Sequence, residues 1–213
     1  MFTDAQMSQA RNARQRRRGI YSARAARRCL SALSFMVLIG TAAAPSAHAD
    51  ALARGAAAFQ RGDYIRAARD LTPIAQRGNP RALGLMGFLY EHGFGEPQDY
   101  DAAADLYYEG AVQGDPFSQA QLGLLYDKGH GVPEDFIFAY KWLNLAAART
   151  GGHEREIYAR FRDAVASKMS KDEIAEGQRL ALRWVQVGFT QWQKAERGTW
   201  DSRHHHDHAA NSE

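Results

Sequence analysis

The chain has 213 residues, with 27 Lys and Arg against 24 Asp and Glu. Its lone cysteine, Cys29, excludes a disulfide-stapled scaffold, and the length allows one or two domains. The basic excess sits at the start. Residues 1–49 hold eight basic residues and one acid, leaving 19 basic and 23 acidic in the remainder, which excludes a nucleic-acid-binding basic face there.

In chain order, Arg11 to Arg28 form an arginine-rich stretch without acids, followed by an apolar run from Cys29 to Ala44 and then Ala47-His48-Ala49 before Asp50. Basic, apolar and small-x-small segments in that order describe a secretory signal peptide over residues 1–49, cut between Ala49 and Asp50. The apolar run is broken by serines and shorter than the roughly 20 residues a spanning helix needs, so cleavage is favoured over anchoring and no stable membrane anchor is left. The pairs Arg16-Arg17 and Arg27-Arg28 keep twin-arginine export open beside the general route. The expected location is periplasmic or secreted.

Residues 50–78 read as a helical hairpin. Gly62 breaks it, Asp63 caps the second helix, Pro73 implies a kink late in that helix and Gly78 ends it. Residues 79–114 and 115–150 are then one segment written twice. Gly87 aligns with Gly123, Tyr90 with Tyr126, Gly93 with Gly129, Gly95 with Gly131, Pro97 with Pro133 and Asp99 with Asp135, always 36 apart. Such a period signals a solenoid, whose units bury their apolar faces only against neighbours. Asn79-Pro80 and Asp115-Pro116 start first helices that run to His92 and Lys128, and Asp99 and Asp135 start the second helices. A mid-helix glycine costs about 1 kcal/mol against alanine, so its recurrence at Gly87 and Gly123 predicts close approach of a neighbouring helix. Ala103, Ala111, Ala139 and Ala147 predict tight packing of the second helices.

From Gly151 the period is lost and helicity continues. Ile157, Phe161, Ala164, Val165 and Met169 recur at helical spacing, and Ser170 to Glu173 is a capping box opening a helix with Ile174, Leu180, Ala181, Trp184 and Val185 as its core face. These helices, residues 151–197, are expected to cap the last repeat. A polar, histidine-rich tail over 198–213 is expected to be disordered.

The string L-G-x-x-Y-x-x-G-x-G-x-P-x-D with a following A-x-x-W and A-A resembles the Sel1-like repeat, a relative of the tetratricopeptide repeat. Leu122, Gly123, Tyr126, Gly129, Gly131, Val132, Pro133, Asp135, Ala139, Trp142, Ala146 and Ala147 carry the match, and the first unit departs at Met86, Glu96 and Leu106. The resemblance implies an all-α protein: a right-handed α-solenoid of helix-turn-helix repeats with a C-terminal helical cap and first helices on the concave side. It also implies an adaptor or scaffold of the exported bacterial type, which regulates an envelope or signalling process.

Candidate chemistry is sparse. His204, His205, His206 and His208 could chelate a metal weakly through the tail, which offers no rigid frame. His153-Glu154 does not continue into HExxH, because residue 157 is Ile. Asp99, Asp101, Asp105 and Glu109 are explained by a cap and a solvated face, and no nucleophile elbow or phosphate loop occurs. The expectation is therefore a non-enzymatic, monomeric scaffold without cofactor, binding a protein or peptide on its concave face. Phe88 with Leu124, and Glu91 with Asp127, are the candidate contact residues, since each pair shares one register beside the packing glycine. The rival reading is a hydrolase like the cysteine-rich repeat proteins described as β-lactamases. Those depend on paired cysteines, and none follows residue 49 here.

Overall fold

Aspartates and an asparagine start most of the helices. The structure, a computed structural model, describes residues 47–186. Along that stretch run α1 (Ala47–Gln60), α2 (Tyr64–Ala75), α3 (Pro80–His92), α4 (Tyr100–Val112), α5 (Pro116–Lys128), α6 (Phe136–Arg149) and α7 (Gly152–Ala166). The eighth, α8, is helical over 171–186. No strand occurs among the described residues. None of the described helices is long and apolar enough to cross a membrane.

Each start is built as the residue types require. The side chains of Asp63, Asn79, Asp99, Asp115 and Asp135 accept hydrogen bonds from the backbone N–H three residues on, satisfying one of the donors that a helix leaves unpaired. Ser170 and Glu173 close the expected reciprocal box, the Ser170 N–H donating to Glu173 Oε2 at 2.7 Å and the Glu173 N–H to Ser170 Oγ at 3.3 Å. Gly93 and Gly129 end α3 and α5 in the left-handed conformation at φ 70° and 67°. The chain stays helical two residues beyond Pro73, to Ala75. It is already helical at Ala47, ahead of the expected cleavage point.

The glycines that interrupt the helices sit where a large side chain crosses. A Cβ on Gly87 would lie 2.7 Å from the Tyr107 ring, and one on Gly123 would lie 2.8 Å from Leu143. Tyr107 and Leu143 are 36 apart, so the same crossing is built twice with different filling. A third copy lies in the N-terminal hairpin, where a Cβ on Gly55 would lie 2.7 Å from Leu71. Leu71 is 36 residues before Tyr107, and Asp63, Asp99 and Asp135 keep that spacing too. Residues 51–78 are thus a full hairpin in register, with a turn shorter than the glycine loops of the other two.

Adjacent units are joined by their loops. Gly95 lies against the backbone of Tyr64 and Gly131 against that of Tyr100, both at the start of the preceding unit's second helix. The rings there are covered in turn: Phe94 stacks on Tyr64 at 4.5 Å, His130 tilts over Tyr100 at 4.7 Å, and the Lys168 ammonium lies 5.1 Å from the Phe136 ring. First helices approach one another across the stack, α1 with α3, α3 with α5 and α5 with α7, more closely than α2 approaches α4 or α4 approaches α6. The first helices thus form one continuous layer, the inner layer of the solenoid that the repeat resemblance implies.

The core divides at α3. Ala67, Leu71, Leu83 and Leu89 anchor the N-terminal part, and Tyr107, Leu122, Leu125, Trp142 and Leu143 the larger part, with Tyr90 and Phe117 bordering both. Trp184 of α8 meets Trp142 edge-on at 6.4 Å. Arg149 holds it from the other side, its guanidinium 4.5 Å from the Trp184 ring and donating to the Gly114 carbonyl at 3.3 Å. The apolar faces expected of the last two helices need correction. Ala181, Trp184 and Val165 are buried, but Val185 is 59% exposed and Phe161 and Ala164 are exposed. The reason is one-sided packing: α7 and α8 have a neighbour on the α5–α6 side, and their far sides meet no other described helix.

Candidate protein-interaction face

Most of α3 is buried, and its solvent-facing side chains reduce to Pro80, Arg81, Phe88, Tyr90, Glu91 and His92. On α5 the matching stripe holds Phe117, Gln121, Leu124, Asp127 and Lys128. All four residues expected from the sequence therefore lie on the outward stripe of the inner layer. Their surroundings differ. Phe88 is half-buried in a set of rings, 5.1 Å from Phe59, 6.3 Å from Phe117 and stacked on His92 at 4.0 Å. Leu124 is half-buried against the larger core. Glu91 accepts the Tyr107 hydroxyl at 2.8 Å on Oε2, whereas Asp127 binds Lys168 Nζ at 2.8 Å.

Period-matching does not find the rest of the surface. Phe59, Phe88 and Phe117 bring one ring from each of three successive first helices, and they are spaced 29 residues apart, not 36. The signal was an aromatic recurring at a second, shorter interval. Phe94 stacks on Tyr64 at one edge, and the Arg81 guanidinium lies 4.9 Å over Phe117 at the other. Arg81 is 48% exposed, and its ion pair with Asp115 is long at 3.9 Å.

The polar groups beneath are locked. Tyr107 is fully buried, donates to Glu91 and accepts from Gln121 Nε2 at 3.5 Å, which ties α3, α4 and α5 together. Burial pushes its hydroxyl well above the ordinary tyrosine value, and the Glu91 charge adds to the shift. A raised folded-state value means that the neutral form stabilises the fold fully below pH about 10 and that this contribution is lost as pH rises above it. Alkaline titration followed by circular dichroism should show a stability loss above that pH in the native chain, flatter in Tyr107→Phe. Burial likewise raises the Tyr158 hydroxyl, with Glu154 adding to it.

No group of His, Cys, Asp and Glu among the described residues is placed to hold a metal. His204, His205, His206 and His208, with Trp192 and Trp200, lie outside the described residues.

The family description "Sel1 repeat" matches residues 80–115 and 116–150, the hairpins α3–α4 and α5–α6. The chain carries two Sel1 repeats. Among solved structures, the α-solenoid resembles c5321, "a protective antigen present in uropathogenic Escherichia coli strains displaying an SLR fold", with 21% identity and a TM-score of 0.60 over 70% of this chain. A Sel1 repeat protein from Oxalobacter formigenes aligns over 62% of the chain at 25% identity and a TM-score of 0.49. The chain spans 33% and 55% of the lengths of these two proteins. No curated protein matches the sequence. Sel1-repeat proteins are generally non-enzymatic scaffolds that mediate protein–protein interactions. The hairpin α1–α2 lies outside the two matched spans, and its short turn lacks their glycine loop.

Proposed function

We propose that the protein is an exported, non-enzymatic scaffold that binds a protein or peptide segment on its layer of first helices, in an envelope or signalling process. The observation that carries this reading is the contiguous run of half-buried rings, Phe59, Phe88 and Phe117, lying on the solvent side of the inner layer. Aromatic rings left partly exposed in one connected row offer a rigid, apolar surface, the usual mark of an interaction site. The Ser118 hydroxyl donates to Asp115 Oδ2 at 2.7 Å, but it is fully buried at the start of α5, where capping accounts for the pair. The His-rich tail is retained as a secondary reading, weak metal carriage.

Photo-crosslinking separates the two faces of the stack. A benzophenone side chain in place of Leu124, on the inner layer, should capture a discrete partner in living cells. The same group in place of Arg69, exposed on α2, should not. Equal capture from both positions, or capture from Arg69 alone, would remove the inner layer as the binding face. Export is tested separately: the mature chain should begin at Asp50 by mass spectrometry of the periplasmic or released fraction.

A further inference from the structure

The repeat supplies its own example of what this face takes up. Glu91 and Asp127 stand at the same position of successive units, 36 residues apart. In the second unit Asp127 holds the Lys168 ammonium at 2.8 Å, and the same ammonium lies 5.1 Å from the ring of Phe136. A carboxylate and an aromatic face together stabilise one cation, the first by a charge-assisted hydrogen bond and the second through the ring quadrupole. In the first unit the ring matching Phe136 is Tyr100, which His130 covers at 4.7 Å, so the carboxylate alone is left for a cation. Tyr107 occupies Oε2 of Glu91, and no Lys or Arg among the described residues pairs with that carboxylate. Phe88, three residues before Glu91 and so beside it on the helix surface, carries a ring stacked on His92 at 4.0 Å.

The charge around this position points the same way. Residues 82–127 contain eight carboxylates and no lysine or arginine, with Arg81 and Lys128 at the two ends of the block and three of the carboxylates, Asp101, Asp105 and Glu109, on α4. Such a block attracts cationic segments and repels anionic ones, in proportion to how little salt screens it.

We propose that Glu91 receives a lysine or arginine side chain from an extended segment of the partner, whose apolar flank lies on Phe88. The inference rests on the first-helix layer being the binding face, and it adds the chemistry of the occupant. The carbon stem of a Lys or Arg suits this placement, since it covers apolar surface while its head reaches the carboxylate.

The test is an array of capped nonapeptides with a fixed frame of leucine, proline and phenylalanine, varied at one central position among Lys, Arg, Gln and Glu, and probed with the full chain at low salt. The Lys and Arg members should be retained about tenfold more strongly than the Gln member, with Glu weakest. Glu91→Gln keeps an acceptor for Tyr107, so it should melt like the native chain while erasing that preference. Phe88→Leu, which keeps bulk and loses the ring, should weaken every member alike. Retention of Gln or Glu members as strong as Lys, or a Lys preference surviving in Glu91→Gln, overturns the inference. If Gln members bind as well as Lys members and Phe88→Leu weakens both, the face stands and only the cation position falls. If no member binds, both fall.

Discussion

Gly131→Ala should unfold at markedly lower urea concentration than Gly129→Ala, although the two glycines are two residues apart in one loop. Both have positive φ, 67° at Gly129 and 66° at Gly131, so each alanine carries the cost of a left-handed residue, about 1–2 kcal/mol. The difference lies in what the new methyl group meets. At Gly129 the nearest atoms are the Cβ and N of Glu134 at 3.5 Å, an ordinary contact. At Gly131 the methyl would run into the carbonyl group of Tyr100, whose oxygen is fixed at the start of α4. A backbone atom cannot rotate away, so the loop must lift off the preceding unit, adding overpacking strain of about 1–3 kcal/mol. Urea midpoints at unchanged slope would measure this. Equal midpoints would show that the loop is not seated on α4.

Lys141→Ala should lose about 4 kcal/mol and Lys141→Met about half of that. The side chain is fully buried, with its ammonium 4.2 Å from the Trp142 ring and 5.2 Å from Phe138. Methionine keeps the volume of the stem and removes the charge, whereas alanine also leaves a cavity. The pair of variants therefore separates packing from electrostatics. If methionine costs as much as alanine, the charge dominates; if it costs nothing, the lysine is held for its carbon chain alone. Position 141 also shows how repeats diverge. The residue 36 earlier is Asp105, and 36 before that is Arg69, so one site alternates in sign along the second helices.

The architecture was largely legible because its grammar is local. Capping aspartates, positive-φ glycines and helix-opening prolines act within a few residues, so their reading at Asp99, Gly93 and Pro80 survives in three dimensions. Gly87 and Gly123 were legible for a different reason: a costly residue repeated at one position needs a neighbour, and Tyr107 and Leu143 are those neighbours. The candidate face was legible only in part. Phe88, Glu91, Leu124 and Asp127 do line the outward stripe, but a shared register does not confer a shared environment. Asp127 is tied to Lys168, 41 residues on and outside the repeat, whereas Glu91 is tied to Tyr107. The ring row escaped because Phe59, Phe88 and Phe117 are set by contacts between units, and their interval is not that of the units. Val185 was misread because helical periodicity marks an apolar face without saying whether a neighbour exists to cover it.

The way each glycine loop seats on the helix before it has a consequence for how such chains can grow. Each seam has a donor half, the loop carrying Gly95 or Gly131, and a receiving half, the aromatic that starts the preceding second helix, Tyr64 or Tyr100. The segment 79–114 holds one of each: Gly95 to give and Tyr100 to receive. A tandem copy of that segment would therefore arrive with both halves of a working seam and leave the flanking seams as they were. Lengthening by whole 36-residue steps of this kind needs no compensating substitution at the seams.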